Sequence, residues 1–182
     1  DSSGLLSFDD KYEVSRADFS VTKLIQKIDL NRVELFLGIG RLITNDNSEN
    51  QPFLKDGICI FHNGIIVNDK EICNAENIKR ISKLDTEVFY AMAIKDKKKL
   101  NMEVFHKKIL EKCEGTFSVA IAFPELGKVL LCSNHGSLYY GKKNSLNVFS
   151  SEKNHLLEIG CENIKNLNNN FKVFNIPKTK IK

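Results

Sequence analysis

The chain has 182 residues, 42% hydrophobic and 27% charged, with a net charge of +4. That length and balance fit one globular domain with a real core, and the surplus lysines, gathered at Lys95 to Lys99 and Lys178 to Lys182, have no interleaved aromatics and so do not read as a nucleic-acid stripe. No apolar run is long enough to span a membrane and no signal-peptide pattern is visible, so neither nucleic acid nor membrane is an expected partner.

In chain order, Gly4 to Phe8 reads as a short strand. Ser20 is placed to cap a short helix with Val21, Leu24, Ile25 and Ile28 on one face. Val33 to Ile39 is a strand, and the polar Gly40 to Lys55 is expected to be loop. Gly57 to Val67 is apolar and β-rich; Asn68 or Asp69 then caps a helix through Ile72. Asp85 to Ile94 is helical with Val88, Phe89 and Met92 inward, and Met102 to Cys113 is a second helix with a stripe of Val104, Phe105, Ile109 and Leu110. The period then changes. Thr116 to Phe123 is a buried strand, Pro124 to Gly127 a turn and Lys128 to Cys132 the return. Leu138 to Tyr140 and Leu146 to Ser150 form a strand pair around Gly141, Ser151 caps a short helix through Leu157, Asn166 to Asn170 is a polar turn, and Phe171 to Ile176 is the last strand. Strands, two consecutive helices and then antiparallel strands do not make a doubly wound sheet. They predict an α+β fold of stacked, mostly antiparallel sheets with helices outside.

The five cysteines, Cys59, Cys73, Cys113, Cys132 and Cys161, are odd in number and form no CxxC pair. Three of them lie in or beside apolar runs, which fits buried thiols in a reducing, cytoplasmic setting. His62, His106, His135 and His155 have no zinc spacing. No metal is expected from this spacing.

Three segments carry chemistry. Asn63-Gly64 sits between apolar runs, the pattern of a type I′ hairpin. A strand ending in an exposed Asn-Gly loop is the competing picture, in which the Asn63 amide and the Gly64 N–H point at one developing oxyanion. Arg41 follows a strand directly, where a guanidinium can clamp a carboxylate or simply pair with a surface acid. Asp85 stands at a helix start, as a cap or as a carboxylate for an ammonium group.

The order of these segments is more specific than any one of them. Gly-x-Gly-Arg41 is followed by Gln51-Pro52, His62-Asn63-Gly64-Ile65-Ile66, Asp85-Thr86-Glu87-Val88, Gly115-Thr116-Phe117-Ser118-Val119-Ala120-Ile121 and Ser151-Glu152. This succession resembles the class II glutamine amidotransferase domain of the N-terminal-nucleophile (Ntn) hydrolases. Asp1-Ser2-Ser3-Gly4 is similar to the end of that family's Arg-Gly-x-Asp-Ser-x-Gly motif, and the Asn-Gly and Asp-Thr-Glu-Val segments are most similar to the glucosamine-6-phosphate synthase type. The resemblance implies a four-layer α-β-β-α sandwich over residues 1–182. It implies hydrolysis of glutamine to glutamate, with ammonia delivered to an amino-sugar-forming synthase domain or subunit, and no organic cofactor. Arg41 would hold the glutamine α-carboxylate, with Thr44 also in the substrate-binding set; Asn63 and Gly64 would form the oxyanion hole; Asp85, with Gly64, would hold the α-ammonium.

The family's nucleophile is an N-terminal cysteine whose own amine is the general base. Here the motif begins at Asp1, so the nucleophile, one strand and one helix are expected outside this chain. Ser2, which belongs to a motif with another purpose, and Cys59, in an apolar strand, are the poorer substitutes. Arg41-Leu42 is nearer to the asparagine synthetase type, and Ser133-Asn134-His135-Gly136-Ser137-Leu138 lacks the arginine and proline usual in that later segment. The alternatives are therefore an asparagine synthetase-like enzyme and an inactive binding or regulatory domain of the same fold.

Overall fold

The computed structural model describes residues 2–29, 31–41 and 49–181. Strands Ser2–Phe8 (β1), Tyr12–Ala17 (β2) and Leu35–Arg41 (β3) form an antiparallel sheet in the order β2-β1-β3. The short helix Val21–Ile25 (α1) packs on β1 and β3. Phe53–Lys55 (β4) and Ile58–Ile66 (β5) make a hairpin, followed by helices Asp69–Ala75 (α2), Glu87–Ile94 (α3) and Met102–Lys112 (α4). Next come Gly115–Phe123 (β6), Lys128–Ser133 (β7), Tyr139–Lys143 (β8), Leu146–Ser150 (β9), the helix Lys153–Glu158 (α5), Glu162–Asn166 (β10) and Asn170–Asn175 (β11).

Five strands make the central sheet, β11-β7-β6-β5-β4, and every pairing in it is antiparallel. Successive side chains alternate across it. On one face Ile58, Ile60, Phe117, Val119 and Ile121 pack against Val88, Phe89 and Met92 of α3 and Phe105 and Ile109 of α4. On the other face Cys59, Phe61, Ala120 and Leu131 meet Leu6, Tyr12 and Leu37 of the β1 sheet. Full burial of each such large side chain is worth about 1.5–3 kcal/mol, so two apolar layers hold three structural layers together. With α1 outside the β1 sheet, the order is the expected α-β-β-α.

The layer opposite the central sheet is divided. It consists of β2-β1-β3 and β10-β8-β9, and among the described residues β3 and β9 are edge strands with no partner on their outer sides. Ile39, Gly40 and Arg41 of β3 and Phe149 and Ser150 of β9 line one cavity.

Several expectations need correction. The hairpin turn is Asp56-Gly57, with φ of 47° and 72° as a type I′ turn requires. Asn63-Gly64 is neither a hairpin turn nor a strand-ending loop: β5 runs through it to Ile66 and stays paired with β6. Part of the expected 40–55 loop is β4, and β2 and β10 are additional strands. Val104 is exposed, so the α4 stripe is narrower than expected, whereas α3 is buried over almost its whole surface. Gly141 lies within β8, where a Cβ would come 2.8 Å from the Glu162 carbonyl, and the turn falls at Asn144. Ser20 makes no side-chain cap bond, and Ser150 rather than Ser151 accepts the Glu152 N–H ahead of α5.

Candidate active site

The site begins as a row of backbone groups along the outer edge of β5. In the register with β4, Ile58 faces Lys55 and Ile60 faces Phe53. Continuing that register by two residues brings Gln51 opposite His62. The side chain of Gln51 takes up the pairing: His62 N–H donates to Gln51 Oε1 at 2.6 Å and Gln51 Nε2 donates to the His62 carbonyl at 2.8 Å. Four residues further on, Ile66 N–H donates to Asp85 Oδ2 at 2.8 Å.

Gly64 lies between them on the same edge. It stands opposite Phe117, whose N–H and carbonyl are both turned to Asn134, at 2.8 Å and 3.2 Å. Gly64 and Phe117 are therefore a non-hydrogen-bonded pair, and the alternation of the ladder turns the Gly64 N–H outward. No acceptor for it occurs among the described residues. Gly64 has φ +140°, and a Cβ there would sit 2.1 Å from the Thr116 carbonyl oxygen. Only glycine fits.

Asn63 occupies the face of β5 that carries Cys59 and Phe61 deeper in the sandwich, but at this end of the sheet it is exposed. Its carboxamide has no hydrogen-bond partner among the described residues. Arg41 ends β3 opposite Ser2 and is half-buried, with no acidic partner among the described residues. Arg41, Asn63, Gly64 and Asp85 line a single cavity of about 850 Å³, together with Gln51 and Lys83. Thr44 lies outside the described residues.

Asp85 is held from several directions. Helix α3 begins at Glu87, so Asp85 is not its N-cap, correcting the capping reading. Its Oδ1 lies 3.4 Å from His62 Nδ1, which is also 3.3 Å from Thr86 Oγ1. Burial alone would push the Asp85 carboxyl up, but the contact with His62 and the N–H groups of Ile66 and Thr86 outweigh it and hold the group below the usual carboxylate range. The carboxylate is about one-quarter exposed, on the cavity. Two residues on, Glu87 is fully buried and accepts the N–H groups of Ile81 and Ser82, tying that loop to the start of α3.

Gln51 appears in the motif order without an assigned role, and His62 and Thr86 likewise have none from sequence. The Asp56-Gly57 turn is the signal that could have set β4 against β5 and so brought Gln51 opposite His62. Cys59 is fully buried in the core and burial pushes its thiol up, so it is no nucleophile, and Ser2 is a buried strand residue.

A profile described as the glutamine amidotransferase domain matches residues 40–158, a span that contains Arg41, Asn63, Gly64 and Asp85. The chain belongs to this family. It is 32% identical over 117 residues to the 7-cyano-7-deazaguanine synthase of Saccharolobus solfataricus, a match that covers 64% of this chain and 24% of that protein. The chain thus spans about a quarter of the length of the curated relative it matches. Among solved structures it is similar to the glutamine phosphoribosylpyrophosphate amidotransferase of B. subtilis, with a TM-score of 0.72 at 18% identity, covering 96% of this chain and 42% of that one. It is also similar to a glutamine aminotransferase class-II domain protein from Silicibacter pomeroyi, with a TM-score of 0.55 at 17% identity, covering 81% and 78% of the two chains. These structural likenesses establish the fold, that of the Ntn-type glutamine amidotransferases. The five cysteines of this amidotransferase domain are free and buried. Among the described residues no helix is long and apolar enough to cross a membrane, and no cluster of metal-ligating side chains occurs.

Proposed function

We propose that this chain is the glutaminase part of a class II amidotransferase and that its cavity binds one glutamine. Arg41 grips the α-carboxylate through its planar pair of donors, and Asp85 takes the α-ammonium. The side-chain amide oxygen lies against the Gly64 N–H and the Asn63 carboxamide. The nucleophile is a cysteine from a segment outside this chain. The edges of β3 and β9 along the same cavity, unpaired among the described residues, support an extended strand as its carrier. The thiolate attacks the amide carbon, the negative oxygen is held by Asn63 and Gly64, ammonia leaves with a proton from the cysteine's amine, and water hydrolyses the thioester to glutamate.

One observation carries the reading: residues from three distant stretches converge on one cavity in which a backbone N–H, a carboxamide and a guanidinium lack partners among the described residues. Asn63→Ala in the full-length protein tests it. Glutamate release should slow about 100- to 1,000-fold with little change in glutamine affinity. Unchanged turnover would remove Asn63 from the mechanism; glutamine binding with no turnover in the unsubstituted protein would favour an inactive binding domain.

The acceptor has two readings. His62-Asn63-Gly64-Ile65-Ile66 and Asp85-Thr86-Glu87-Val88 favour an amino-sugar-forming synthase, while the named relative favours a deazaguanine-forming one. Glutamine-dependent amination of a sugar phosphate against that of a deazaguanine precursor separates them. The buried thiols support a cytoplasmic setting.

A further inference from the structure

We infer that Gln51 is a positioning residue for the oxyanion site: its carboxamide replaces a β-strand along the outer edge of β5 and so fixes the direction of the Gly64 N–H. The inference rests on the glutaminase reading above. Strand β4 begins only at Phe53, and Pro52 before it has no N–H with which to extend a ladder. Beyond Ile60, the outward backbone groups of β5 must therefore find side chains. A primary carboxamide is the neutral group that offers one donor and one acceptor, as a residue of a neighbouring strand would. Gln51 matches both groups of His62 at 2.6 Å and 2.8 Å and is itself buried, 4% exposed.

Its backbone is anchored on the other sheet. Arg16 of β2 donates through Nε and Nη2 to the Pro52 carbonyl at 2.9 Å and 2.7 Å. The Gln51 carbonyl oxygen comes so close to Gly4 of β1 that a Cβ there would lie 1.9 Å away. Gln51 thus ties the β1 sheet to the edge of β5 two residues before Gly64. His62 also carries the ring that touches Asp85 and Thr86, so slack at His62 would move the oxyanion donor and the carboxylate together.

The test uses the full-length protein with Gln51→Met and Gln51→Glu, reading steady-state glutaminase kinetics and amide hydrogen exchange. Methionine keeps the shape and removes both hydrogen bonds. It should lower kcat about 10- to 100-fold with KM within about threefold, and the His62 amide should exchange at least about tenfold faster. An ionised Gln51→Glu carboxylate can accept the His62 N–H but opposes its carbonyl, whereas the neutral acid donates and accepts as glutamine does. The ratio of its kcat to that of the unsubstituted protein should therefore rise as pH falls, a trend that loss of packing alone would not produce. Unchanged kcat and His62 exchange in Gln51→Met, or a pH-independent ratio in Gln51→Glu, would overturn the assignment. If the unsubstituted protein releases no glutamate, the glutaminase reading fails instead, and exchange at His62 and Gly64 in the two variants still decides whether Gln51 sets this edge.

Discussion

The two halves of β5 obey different rules. At Cys59 and Ile60 the strand is paired on both edges, by β4 and β6, and the side chains from Ile58 to Phe61 fill both apolar layers. From His62 to Ile66 the β6 pairing continues, but the outer edge is served by a carboxamide at His62, a carboxylate at Ile66 and nothing among the described residues at Gly64. A ladder made by another strand is closed along its length. One made by side chains can leave a gap at a chosen position, and in the proposed site that gap is the donor for the glutamine amide oxygen. On the proposed function, the first half supplies stability and the second half supplies chemistry.

Substitutions that separate these two contributions test the contrast. Gly64→Ala should have the largest effect, because its Cβ would collide with the Thr116 carbonyl at a positive φ. It should cost about 2–4 kcal/mol of stability, measured by denaturant unfolding, and abolish measurable glutaminase activity. Ile60→Ala, in the fully buried half, should cost about 2–5 kcal/mol but leave kcat and KM within about threefold when assayed below the unfolding transition. A large catalytic effect at Ile60 would erase the distinction between the halves. Arg41→Lys should raise KM about 10- to 100-fold with a smaller change in kcat, since an ammonium cannot reproduce the two parallel N–H donors. The smallest effect belongs to pH. The Asp85 carboxyl is held below its ordinary range, so its contribution to stability is complete above the unfolded-state value of about 4 and is lost as pH falls through the lower folded value. Asp85→Asn should therefore flatten the fall of stability with acid below about pH 4, and an unchanged slope would show that Asp85 is not held in this way.

Much of this arrangement was legible in the sequence, and the reasons for the gaps are physical. Long apolar runs announce β5, β6 and β7, and the family's motif order alone groups Arg41, Asn63, Gly64 and Asp85. The sequence offers its hairpin signal at Asn63-Gly64 as one of two readings, whereas Asp56-Gly57, which carries the same chemistry, forms the turn. Strands β2 and β10 are sheet edges with polar, charged residues along them, so their alternation is too weak to stand out. Gln51 shows why local period cannot reveal everything: its function depends on a side chain standing where a backbone usually does, opposite a residue 11 positions away.

The most direct test is a crystal structure of the protein with L-glutamine in the cavity, using a form in which the nucleophile cannot react. The carboxylate should lie on Arg41, the ammonium on Asp85, and the amide oxygen within hydrogen-bond distance of both the Gly64 N–H and the Asn63 carboxamide. Glutamine seated elsewhere, or in the cavity with its amide oxygen turned away from Gly64, would contradict the proposed site.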